Sequence, residues 1–134
     1  MDSIYDERFT PTVIKSILRG VRSDVLVTSH LTCLEVESVA ARMLRGKLLD
    51  EKTYNALLNS FARDLEKHMT VLPVTSERMV DAIEAARSYA LRPGDSLHAA
   101  SAQHAMASAQ DEVVFVCSDR QLRMRSRMMR SCAF

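Results

Sequence analysis

The stretch "VLVTSHLTCLEVESVAARMLRG", residues 25–46, sets a short apolar run directly ahead of a helical pattern. "VLVT" (25–28) reads as a short strand, and "LTCLEVESVAARMLRG" (31–46) as a helix that stops at Gly46 in a C-cap position. A strand that feeds straight into a helix is the building unit of an α/β fold. Whether the unit recurs along the chain therefore decides the class.

It recurs in both directions. Downstream, "DEKTYNALLNSFARDLEKH" (50–68) is an amphipathic helix capped by Asp50, with Leu57, Leu58, Phe61 and Leu65 on one face. "MTVLPV" (69–74) reads as a strand, and Pro73, which has no N–H to give a ladder, places it at a sheet edge. "SERMVDAIEAARSYA" (76–90) and "DSLHAASAQHAMAS" (95–108) are helices, "EVVFVC" (112–117) is the strongest strand, and "RQLRMRSRMM" (120–129) is a basic helix. Upstream, "FTPTVIKSILRGVRSD" (9–24) is a helix with Thr10 as cap and Pro11 at its first position. Strands alternating with helices predict a short parallel sheet flanked by helices, in one domain over residues 1–134.

The totals agree with that size. At 134 residues the chain can bury a core without disulfide or metal staples. Hydrophobic residues make up 47% and charged residues 26%, the balance of a globular protein rather than a disordered one. No apolar run approaches the roughly 20 residues of a bilayer span, and the start does not read as a secretory leader. Cys33, Cys117 and Cys132 are odd in number and lack metal-like spacing, which favours reduced thiols in a cytoplasmic protein. The net charge of +1 means that affinity for a polyanion must come from local patches.

In open α/β sheets, ligands sit beyond the carboxyl ends of the strands. Three acids stand at such addresses. Glu35 falls at about 40° on a helical wheel that starts at Leu31, between Leu31 and Val39, whereas Glu37 falls near 240°. Glu35 is thus expected to point toward the protein, either in a salt bridge to Arg42 or Arg45 or in a site. Asp95, after Pro93 and Gly94, reads as the N-cap of its helix, with Gly94 easing the turn into it. Asp95, Ala99, Ala102 and Met106 share a helical face whose small residues allow close approach to the sheet. Asp119 follows "VVFVC" by two residues, where it or Ser118 could also cap the last helix. Each acid has a structural explanation alone. Gathered at one sheet edge they would repel one another unless they hold hard cations, for which Mg²⁺ or Mn²⁺ is suited.

"TSHLTCLEVESVAARMLRGKL" (28–48), "VTSERMVDAIEAARSYALRPGDSLHAASA" (74–102) and "FVCSDRQLR" (115–123) resemble a PIN-domain protein of the VapC toxin type, over nearly the whole chain and in the family's order. The resemblance implies a metal-dependent endoribonuclease that cuts RNA and is partnered by a small antitoxin. It matches the family's second, third and fourth acids to Glu35, Asp95 and Asp119, as catalytic residues and metal ligands. The start departs from the pattern. PIN domains open with an apolar strand ending in an acid, whereas this chain begins "MDSIYDERFTPTVIKSIL". Asp2 has no strand before it and aligns as a bystander. The departure implies a reading frame that extends upstream or a naturally shortened chain, with the central first strand missing. The alternative function is then a catalytically impaired protein-interaction module.

The remaining candidates are secondary. His98 lies one turn from Asp95 and reads as a packed or half-exposed helix residue within reach of the site. Arg120, Arg123 and Arg127 belong to a basic stripe suited either to RNA phosphates or to solvent. Exposed apolar positions on helices 31–46 and 50–68 favour a homodimer.

Overall fold

Leu26–Ser29 forms β1, and Ser29 caps the helix that follows without any intervening loop. In this computed structural model the described residues are 26–109 and Phe115. The helix expected at 9–24, the strand at 112–117, the basic helix at 120–129 and the place of any preceding strand lie outside them. After β1 come α1 (His30–Arg45), α2 (Glu51–His68), β2 (Met69–Leu72), α3 (Ser76–Tyr89) and α4 (Pro93–Ser108). The expected strands and helices within this range are all present, with ends that move by two residues at most.

β1 and β2 pair in parallel, with Leu26 opposite Met69 and Ser29 opposite Leu72. Parallel neighbours need a crossover, and here the antecedent helices α1 and α2 supply it. β2 ends at Leu72, immediately before Pro73, where the ladder would lose a donor.

The helix ends follow from single side chains. The Asp50 carboxylate accepts from the Thr53 N–H at 2.7 Å, and the Thr75 hydroxyl accepts from the Arg78 N–H at 3.1 Å. α1 ends in a Schellman turn: the Leu48 N–H donates to the Met43 carbonyl at 2.9 Å, and the Lys47 N–H to the Leu44 carbonyl at 3.0 Å. Gly46 is the C-cap, as expected. The left-handed residue is not the glycine, however, but Lys47, at φ 58°.

The packed centre is built from alanines. Ala40, Ala82, Ala85, Ala99 and Ala100 are buried, and Ala85 and Ala99 meet between Tyr89, Leu91 and Phe115. α3 and α4 are the most intimately packed helices, because alanines on both let the backbones come close. The small-residue face of α4 was expected to lean on the sheet. Its contact with β1 exists but is the lesser one, and its buried residues are Ser96, Ala99, Ala100 and Ser101.

Candidate active site

The turn from β1 into α1 is fixed by hydroxyls. Ser29, buried at the carboxyl end of β1, accepts from the Leu31 N–H at 3.2 Å, and the Thr28 hydroxyl donates to that of Thr32 at 2.8 Å. One turn further along α1 stands Glu35. Its Oε2 lies 2.9 Å from Nε2 of His98, a residue 63 positions away on α4. Its Oε1 lies over Gly94, so close that a Cβ built on Gly94 would be 3.3 Å from it. The Glu35 carboxylate is therefore located on both oxygens, against the first two turns of α4.

A carboxylate only accepts hydrogen bonds, so the His98 Nε2 carries the proton that is shared with Oε2. The pair is open to water: the side chains are 49% exposed for Glu35 and 25% for His98. A contact this exposed contributes under about 1 kcal/mol to stability. Its consequence is geometric, since it ties α1 to α4 at the end of the sheet where acids were expected.

The expectation that Glu35 faces the protein rather than open solvent is met only in part, because the side chain stays half exposed. Its partner among the described residues is His98, and not Arg42 or Arg45 on its own helix.

Asp95 differs from its expected role as a cap. α4 begins two residues earlier, at Pro93, with Arg92 in the N-cap place and no side-chain capping bond. Proline suits the first helical position because its missing N–H would have no partner there. Asp95 is thus the third residue of the helix, where its negative charge complements the exposed N–H groups of the first turn. The Ser96 hydroxyl donates to the Arg92 carbonyl at 2.9 Å and steadies the same turn. Asp95 is half-buried, next in sequence to the glycine on which Glu35 rests.

The structure brings Glu35 to the turn that carries Asp95. Among the described residues no three His, Cys, Asp or Glu side chains gather closely enough to hold a metal ion. Asp119, Ser118, Arg120, Arg123 and Arg127 lie outside the described residues, as does Asp2. His98 is the partly exposed helix residue the sequence led one to expect, and it reaches Glu35. Its signal was the spacing in "DSLH", which sets it one helical turn beyond Asp95.

A parallel sheet wrapped by helices, with an acid-bearing helix start meeting Glu35 past the end of β1, defines a small α/β protein of PIN-like architecture. The chain belongs to the PIN domain family, whose model matches residues 3–124. That range includes Glu35, Asp95 and Asp119. PIN domains are nucleases that act on RNA and generally use divalent metal ions. No curated protein and no solved structure matches the chain significantly. Among the described residues no helix is long and apolar enough to cross a membrane.

Proposed function

We propose that the protein is a metal-dependent endoribonuclease, the toxin of a toxin–antitoxin pair, that hydrolyses RNA phosphodiester bonds. The observation that carries this reading is the family match joined to the seat of the Glu35 carboxylate on Gly94 in the first turn of α4, the turn to which Asp95 belongs. Oxygen donors of this kind suit Mg²⁺ or Mn²⁺. Glu35, Asp95 and Asp119 are the residues that would hold the ion. Held there, a divalent cation would supply Lewis acidity: it would ease deprotonation of the attacking water and offset charge on the leaving oxygen.

The chain's own part is placement. Glu35 keeps one oxygen on His98 and turns the other toward α4. Asp95 is held in a helical turn, with Ser96 buried beside it. Arg120, Arg123 and Arg127 would pair with RNA phosphates, and weaken with salt accordingly. Exposed Leu34, Val39 and Leu57 on α1 and α2 support a homodimer, and the free Cys33 thiol accords with a reducing cytoplasm.

The test is cleavage of a mixed RNA pool by the purified chain. Activity should need Mg²⁺ or Mn²⁺, vanish with EDTA, return on adding excess metal, and fall to background in E35Q, D95N and D119N. No cleavage at millimolar Mn²⁺, either by this chain or by one extended upstream with an apolar strand ending in Asp, overturns the enzyme reading and leaves the interaction module, which the exposed apolar residues Met79, Val80 and Ile83 of α3 favour.

A further inference from the structure

We propose that His98 is a positioning residue: by donating from Nε2 to Oε2 it holds the Glu35 carboxylate in a cation-ready orientation and so raises the affinity of the site for divalent metal. This inference rests on the metal-dependent reading given above and assigns a part in it to a residue outside the acid set.

Glu35 projects from an exposed stretch of α1 and, left alone, would sample many rotamers. A ligand that must be ordered when the ion arrives weakens binding. Here the ordering is already present. Oε2 is fixed at 2.9 Å from the His98 ring, and Oε1 is seated over Gly94. His98 can act as a fixed post because the next two residues of α4, Ala99 and Ala100, are buried in the packed centre. Its backbone is anchored although its ring reaches the surface.

The same hydrogen bond separates positioning from ligation. While Nε2–H donates to Oε2, that nitrogen has no lone pair for a metal. Oε1 keeps both of its lone pairs, and it is this oxygen that faces the turn bearing Asp95. Groups that hydrogen-bond a metal ligand commonly change metal affinity by about 10- to 100-fold when they are removed.

The experiment measures Mn²⁺ binding by the full chain, by calorimetry and by the electron paramagnetic resonance signal of the free ion, for wild type, H98A, H98N and H98Q. Circular dichroism confirms folding of each. The H98A variant should bind about 10- to 100-fold more weakly. H98N should resemble it, because its amide stops short of the Nε2 position, and it serves in place of H98A should that variant fail to fold. H98Q carries a donor at about the Nε2 reach and should recover most of the affinity. Loss variants that bind as tightly as wild type, or more tightly, overturn the proposal, as does an H98Q as weak as H98A, which would make the imidazole itself a ligand. Those results leave the metal-dependent reading standing. A wild type that binds no Mn²⁺ at millimolar concentration removes that reading, and this inference with it.

Discussion

Gly94 is occupied by glycine for the sake of a neighbour, and not for the sake of the backbone. The sequence suggested that it frees the chain to turn into the helix, yet no described glycine has a positive φ, and Gly94 is the second residue of α4. Its lack of a side chain instead admits Glu35 Oε1, which a Cβ would meet at 3.3 Å, and Leu31 Cδ2 at 4.0 Å. Alanine is the better helix former by up to about 1 kcal/mol. The obstacle is the end of a flexible side chain, which can give way by a few tenths of an ångström. The variant G94A should therefore unfold at the same temperature as wild type or slightly higher, while losing metal affinity and RNA cleavage. Calorimetric melts set beside Mn²⁺ titrations check this. A variant that loses stability and keeps full affinity would show that Oε1 has no part in the site. This contact was not legible in the sequence, because it joins residues 35 and 94 through the packing of two helices.

Helix boundaries show which local rules hold and which are overridden. Asp50 caps α2 as its sequence position led one to expect, and Thr75, which the sequence reading did not single out, caps α3 in the same way, each through a partner only three residues away. The start of α4 lies two residues before the one its sequence suggests, since Asp95 is as good a cap as Asp50 in isolation. Pro93 at the first helical position was the competing signal, and it prevails. At the end of α1 the glycine and the left-handed residue are adjacent rather than identical, so Lys47 adopts a conformation that favours glycine. Asp50 also carries a pH dependence. Hydrogen bonds from the Thr53 side chain and backbone hold its carboxyl below the usual aspartate value. A carboxyl lowered in the folded state adds stability above its unfolded pKa, near 3.8, and loses it as the pH falls through the lower folded value. Asparagine caps without that charge. The melting temperature of wild type should exceed that of D50N at pH 6–7, and the gap should close as the pH is lowered toward 3. A gap independent of pH would show that the carboxylate charge contributes nothing.

Across the whole molecule, the α/β order was legible because each element carries its own period, and periodicity survives without knowledge of the fold. Which helix meets which was not, since α3 and α4 are joined by alanines that carry no directional signal. Exposed apolar side chains raise the same problem for partners. Leu34 is 65% exposed on α1, whereas Met79, Val80 and Ile83 lie within an arc of about 100° on α3. These are two separate exposed apolar surfaces, and the homodimer proposed above would use the one on α1 and α2. Charged residues at exposed positions leave the fold intact while opposing association at the surface they occupy. Light scattering of the purified chain should thus find a dimer for wild type and V80E and a monomer for L34E, all with the same helical content. A dimer that survives L34E and dissociates in V80E would move the self-association surface to α3.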